Sequence, residues 1–509
     1  MSHNIYELFA TKFADSIDSP FLTLPTEDGG SLTYGDVDRR SAAMAAVLTK
    51  AGANPGDRVV VQVDKSTDAV ALYLACLRAG LVFVPLNTAY TSDEVGFFLG
   101  DADPVVFVYK SGRTSKLKPV ADIADVPATF TLNSKGGGSL AEAADAETDA
   151  PATVVTRNPD DLACMVYTSG TTGRSKGAML THEGVATNAW ALHAIWRFRP
   201  GDVLLHILPI FHIHGLFVAL HTAMLNASEV LFHPRFDIDA VRTDLPKATV
   251  MMGVPTHYSR LLSDPDFGPD DCANIRLFTC GSAPLSEPVF HDFIGRTGHT
   301  ICERYGMTET GIIASNPPEG QRIAGTVGYA LPDMELRVAD EKDEPLEAGE
   351  IGEVQVRGKH LFAGYWGLEN KTAESYSGDG FFKTGDIGAM ASDGRLTLAG
   401  RSTDMIISGG YNVYPKEIEL VLDLLPGVDE TAVVGLEHPD FGEAVTAFVV
   451  GDETVTEAAL FRVVEDSLAN FKRPKRYIFL DQLPRNSMGK VQKAGLRDTY
   501  AELYANPEL

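Results

Sequence analysis

Short runs of consecutive apolar residues recur along the first 300 positions, each ending near turn-forming residues. They lie at 58–64, 81–87 and 104–110, then at "LACMVYT" (162–168), "VLLHILP" (203–209), "EVLFH" (229–233), "ATVMMGVP" (248–255) and "IRLFTCGS" (275–282). Unbroken apolar runs of this length suit strands buried on both faces. Between the first two, "STDAVALYLACLRAG" has apolar positions at helical spacing and suits a crossover helix. The pattern predicts an α/β chain with a mostly parallel sheet made of βαβ-type subdomains. The stretch 133–155 is rich in Gly, Ala and Asp and weakly patterned, and reads as a surface excursion at a seam between two subdomains.

After about position 320 the pattern changes to strict alternation. "IGEVQVRG" and "GRLTLAGR" predict antiparallel strands in a β-rich part, and from about 401 a compact α+β module begins. The expected division is a large domain over 1–400 and a small, mobile one over 401–509, with a hinge near 401–404. No internal repeat is visible.

Length and charge narrow the function classes. A chain of 509 residues exceeds one ordinary hydrophobic core. Its formal net charge of −26, without a long Lys/Arg block, argues against nucleic acid and against anionic membrane surfaces as partners. A small anionic ligand needs only a local basic pocket. The five cysteines form no C-x-x-C pair and no zinc spacing, which suits reduced, buried thiols. The start "MSHNIYELFATKFADS" has no signal-peptide pattern, and no run reaches the roughly 18 apolar residues of a membrane helix. The expectation is a cytoplasmic monomer or homodimer acting on a small molecule.

The stretch "YTSGTTGRSKGAML" (167–180) carries the first candidate chemistry. Its spacing is not that of a Walker A loop. Its glycines let backbone N–H groups turn toward an anion, its hydroxyls add donors, and Arg174 and Lys176 add charge. Four more strings follow. "ERYGMTET" (303–310) puts a Tyr-Gly pair after a strand and sets Glu309 between Thr308 and Thr310, an oxygen-rich corner suited to Mg²⁺. "FFKTGDIG" holds Asp386, able to accept from two sugar hydroxyls; "GRSTDMIISGGYNVYPKEIE" begins with Arg401; and "PRNSMGKVQK" puts Lys490 on a loop near the end of the chain.

In this order and spacing the five strings resemble those of the acyl-adenylate-forming superfamily, which holds acyl-CoA synthetases, adenylation domains and luciferases. The resemblance runs from about residue 20 to 500. It implies ATP and Mg²⁺ as cofactors, CoA as co-substrate, an acyl-AMP intermediate, and release of AMP and pyrophosphate. It further implies that Thr168, Ser169, Gly170, Thr171, Thr172, Gly173 and Lys176 hold the β- and γ-phosphates. Gly281, Ser282 and Ala283 would line the adenine with Tyr305 against its face, Asp386 and Arg401 would bind the ribose, and Glu309 with its neighbour Thr308 would serve the metal and phosphates. Lys490 would bridge the acyl carboxylate and the α-phosphate, where a positive charge offsets the repulsion of two anions. CoA would pass Gly409 and Gly410, with Lys475 among the cations that meet its phosphates. Thr403 departs from the superfamily, where Asp or Lys is common at the pivot; here Asp404 follows one position later.

The acid pocket is read from Arg304, which stands where relatives using fatty or aromatic acids often carry a small residue. A buried guanidinium expects an anion, either a structural carboxylate or a second carboxylate on the substrate. "LLHILPIFHIHGLF" adds His206, His212 and His214. Together with "TGHTICERYGMTET" and "LPRNSMGKVQK", these strings are similar to those of malonyl-CoA synthetases, which implies malonate first and methylmalonate second. A monocarboxylate acyl- or aryl-CoA ligase with Arg304 paired internally, and a stand-alone enzyme loading a separate carrier protein, are the alternatives. Arg276 and Arg322 are expected to be structural.

Overall fold

The computed structural model describes residues 2–25, 29–151, 153–168, 175–408, 411–486 and 489–504. Two large sheets make up the chain to about residue 400. In the first, six strands run parallel in the order Ile301–Met307, Leu277–Cys280, Val250–Gly253, Val203–His206, Glu229–Phe232, Pro20–Thr23. Ser31–Thr33 closes one edge antiparallel. At the other edge the sheet continues antiparallel through Gly311–Ser315 and Thr326–Ala330 into the alternating strands after position 320. The second sheet has a parallel centre, Leu162–Thr168, Val82–Pro85, Arg58–Gln62, Val106–Lys110, Ala128–Leu132, bounded by the antiparallel Lys176–Thr181.

The reason for this architecture is visible in single elements. All four residues of Val250–Gly253 are buried, as an unbroken apolar run demands when helices cover both faces. The crossover helix Thr67–Arg78 is buried along its whole length. That burial includes Arg78, which is ion-paired to Asp38 and bonded to the Tyr6 hydroxyl, so its charge is not left alone. Ser66 caps the helix through the Ala69 N–H.

In each sheet the strand order reverses, beside Val203–His206 in the first and beside Arg58–Gln62 in the second. The chain moves from Val203–His206 to Glu229–Phe232 on one side, then to Val250–Gly253 on the other. Such a reversal opens a crevice at the carboxyl ends of the strands. Residues past 404 form a separate five-stranded sheet with hydrophobic clusters of their own around Ile418, Val433, Phe448 and Leu460.

Two readings need correction. The weakly patterned stretch 133–155 carries a helix, Ser139–Asp145, whose Leu140, Ala141 and Ala144 are buried; alanine-rich segments hide a buried face because Ala contributes little to an apolar pattern. Tyr305 and Gly306 do not follow a strand but belong to one, Ile301–Met307. An added Cβ on Gly306 would lie 2.2 Å from the Gly311 carbonyl oxygen, so the hairpin requires glycine there.

Candidate active site

The carboxyl ends of both parallel sets meet around one cleft. Strand pairing sets Thr168 directly opposite Lys176, so the two ends of the glycine-rich loop are held side by side. Ser169, Gly170, Thr171, Thr172 and Gly173 lie outside the described residues. Glu309 is buried, and its Oε1 accepts from Thr168 Oγ1 at 3.2 Å and from the Tyr365 hydroxyl at 3.0 Å. The Lys176 ammonium lies 4.4 Å over the Tyr365 ring. Burial lowers the pKa of Lys176 and Glu309 acts to raise it. Tyr365 was not anticipated from the sequence; "AGYWG" lies outside the five strings, and only folding brings it to Glu309. Thr308 lines a small cavity beside this group, with Asn188 and His360.

Among the described residues no group of three or more His, Cys, Asp or Glu side chains assembles into a metal cage. A single buried carboxylate fits Mg²⁺, which is bound through one or two carboxylates and completes its shell with waters and substrate phosphates.

Asp386 and Arg401 face each other across paired strands, and Arg401 Nε lies 2.8 Å from Asp386 Oδ1. The Tyr305 hydroxyl donates to Asp386 Oδ2. Asp386 raises the pKa of Arg401, which stays charged. Carboxylate, phenol and guanidinium therefore form one pre-paired group.

Arg304, one residue earlier on the same strand, is in a different situation. It is 4 % exposed, and its Nε and Nη2 have no hydrogen-bond partner among the described residues. Burial draws its pKa down to about 10, and among the described residues no carboxylate acts on it. It lies flat against Gly281, where a Cβ would come within 2.5 Å of its Cζ. Ser282, next in the chain, has φ +71°, a strained value for a residue with a side chain. Its hydroxyl meets His214 Nδ1 at 3.1 Å, while His214 Nε2 is buried without a partner among the described residues. The His214 backbone N–H donates to His212 Nδ1 at 3.1 Å, so His212 carries its proton on Nε2. Burial first, then Lys490 and Arg304, hold the His212 pKa down to about 3. Ala283 follows Ser282 in the same turn.

Lys490 reaches this cleft from the small sheet's side of the molecule. The residue is exposed, but its ammonium end loses solvation; that loss and Arg401 lower its pKa, while Asp386 and Glu309 raise it. A Cβ on neighbouring Gly489 would lie 3.2 Å from the Thr256 hydroxyl, so the loop rests on the large sheet's side of the cleft. Asp404 pairs with Arg497 at 2.6 Å. Gly409 and Gly410 lie outside the described residues. The Lys475 ammonium sits 4.9 Å over Phe441. Arg276 is paired with Asp202 and Arg322 donates to backbone carbonyls, as expected of structural residues. No helix among the described residues is long and apolar enough to cross a membrane.

The AMP-binding enzyme model matches residues 9–366, and the AMP-binding enzyme C-terminal domain model matches 417–490. The malonate–CoA ligase of Arabidopsis thaliana is 33 % identical over 546 residues, covering 97 % of this chain and 89 % of that protein. The ATP-bound structure of MatB from Rhodopseudomonas palustris is 45 % identical, covers 99 % of this chain and 100 % of its own, and superposes with a TM-score of 0.94. Its apo form, at the same identity and coverage, superposes with a TM-score of 0.84. By its sequence, its two sheets and its cleft, the chain belongs to the AMP-binding enzyme family.

Proposed function

We propose that the protein is an ATP-dependent acid–CoA ligase whose acid is a short dicarboxylate, malonate first and methylmalonate second. One acid carboxylate oxygen attacks the α-phosphorus of ATP, the bond to pyrophosphate breaks, and acyl-AMP forms. The CoA sulfur then attacks the acyl carbonyl carbon, its proton passes to solvent, and AMP leaves.

The observation that carries the choice of acid is Arg304. Two nitrogens of this buried guanidinium are unpartnered and no carboxylate among the described residues satisfies it, so an anionic group brought by the substrate completes the site. His214 Nε2, also buried and without a partner among the described residues, is a second polar atom left for the substrate to meet. The likeness to a malonate–CoA ligase and to MatB supports this reading.

The remaining roles follow from charge and geometry. Thr168 and Lys176, with Ser169, Gly170, Thr171, Thr172 and Gly173, hold the outer phosphates. Glu309 holds Mg²⁺, which neutralises phosphate charge when bound. The Asp386–Arg401 pair takes the ribose hydroxyls, and Tyr305 and the Gly281–Ala283 turn flank the base. Lys490 sits between carboxylate and α-phosphate, a reading supported by the closeness of its neighbour Gly489 to Thr256. Rotation of the part after 401–404 would then bring Gly409 and Gly410 to the CoA arm and Lys475 to its phosphates.

The test is AMP release with ATP, Mg²⁺ and CoA across malonate, methylmalonate, succinate, acetate, octanoate and coumarate. Turnover confined to malonate-type acids is expected. Preference for a monocarboxylate would leave the ligase chemistry standing and overturn the dicarboxylate pocket.

A further inference from the structure

Lys65 stands just beyond the strand Arg58–Gln62 and crosses from the second sheet to the first. Its ammonium donates to His206 Nδ1 at 2.7 Å and to the His206 carbonyl at 2.9 Å, and lies 4.4 Å over the Phe232 ring. Among the described residues no carboxylate pairs with it, and burial pulls its pKa well down. A methionine would fill the same space against Phe232 without the cost of desolvating a cation. Stability alone therefore does not account for a lysine here.

Its partner explains it. His206 is 1 % exposed and occupies the last rung shared with Phe232 and Met252, where the strand order reverses. Because Nδ1 accepts from Lys65, the ring proton sits on Nε2, and Nε2–H donates to the Gly215 carbonyl at 2.9 Å. Gly215 ends the turn that carries His212 and His214. That turn is tightly folded, since a Cβ on Gly215 would lie 2.2 Å from the Pro209 oxygen. His214 and Gly215 already open a wide π-type helical turn, His214–His221, a geometry that recurs at functional sites. Lys65 thus selects the His206 tautomer, His206 anchors Gly215, and Gly215 fixes the two imidazoles beside Arg304.

We propose that Lys65 is a positioning residue for the acid substrate, acting through His206 to hold the 209–215 turn so that His212 and His214 converge with Arg304 on the acid. This rests on the acid pocket proposed above. The experiment is steady-state kinetics and thermal melting of Lys65→Met, Lys65→Arg, His206→Gln and the double variant Lys65→Met/His206→Gln, on whichever acid the unmodified enzyme turns over best. Lys65→Met should raise the acid KM about tenfold or more, the size of a lost charge-assisted hydrogen bond. The kcat and ATP KM should stay near their starting values, and Tm should hold or rise. Lys65→Arg, which keeps a cationic donor, should recover part of the loss, and the double variant should be no worse than the worse single one. An unchanged acid KM, a parallel rise in the ATP and acid KM, additive losses, or failure of Lys65→Met to fold would each overturn the proposal. If the best acid is a monocarboxylate, the dicarboxylate reading falls, while a loss confined to that acid's KM still supports Lys65.

Discussion

On the Asp386 side of the cleft the charges are already paired within the chain: Asp386 with Arg401 and Tyr305, Glu309 with Thr168 and Tyr365. On the Arg304 side they are not: Arg304 holds buried donors, and His214 a buried ring nitrogen, with no partner among the described residues. Paired groups are pre-organised and inexpensive to keep in place. Unpaired buried donors destabilise the free protein, and the loss is recovered only when a ligand supplies the acceptor. In the proposed function, the nucleotide half is thus rigid before binding, and the acid half discriminates on binding.

The largest effect expected is from Lys490→Ala. Adenylation should fall by about 10²–10³-fold, the range for removing a preorganised electrostatic contact in a transition state. Reaction of supplied acyl-AMP with CoA should persist. Equal loss of both half-reactions would sink the bridging role.

Next comes Arg304→Met. The kcat/KM for malonate should drop by about 3 kcal/mol, or ~10²-fold, as for truncating one side of a desolvated charge pair, with the ATP KM nearly constant. Because the free enzyme sheds an unpaired buried charge, Tm should hold or increase. A fall in Tm would mean that Arg304 has a structural partner, and the contrast between the two halves would be lost.

Gly281→Ala drives a Cβ toward the Arg304 guanidinium and should raise the acid KM by roughly tenfold, the effect of about 1–2 kcal/mol of overpacking. A rise in the ATP KM with the acid KM unchanged would instead assign Gly281 to the nucleotide half alone. Tyr365→Phe, in the paired half, removes one of two donors to Glu309 and should cost about 1 kcal/mol, up to tenfold in turnover, with a raised Mg²⁺ requirement. An unchanged Mg²⁺ dependence would separate Tyr365 from the metal.

The smallest effect is an absence. With the His212 pKa held near 3 by burial, Lys490 and Arg304, the ring is neutral throughout ordinary assay conditions and gains its proton only well below them. The pH profile of kcat/KM for the acid should carry no inflection between pH 5 and 8 that His212→Asn abolishes. Such an inflection would show that His212 titrates and the pocket is wetter than its burial implies.

Much of this was legible in the chain. Apolar runs such as "ATVMMGVP" announce strands covered on both faces because burial on two sides leaves no polar alternate position. The strings around Thr168, Glu309, Asp386, Arg401 and Lys490 are local, so their residue types and spacing survive in one dimension. Arg304 was legible as a residue requiring an anion, but whether a carboxylate of the chain met it was not. Tyr365 and Lys65 were illegible as site residues, since each acts on a partner 56 and 141 positions away.

The sequence by itself determined the α/β class, because that depends on periodicity, and it carried the short strings around Thr168, Glu309, Asp386, Arg401 and Lys490 on which the proposed phosphate, ribose and bridging roles rest. Only the tertiary structure decided which charges meet. It paired Asp386 with Arg401 through strand register, set Arg304 against Gly281 with no carboxylate partner among the described residues, and carried Lys65 from one sheet to His206 in the other. Pairing is a property of distances across the core, and burial decides how much an unpaired charge costs; neither is written in the order of residues along the chain.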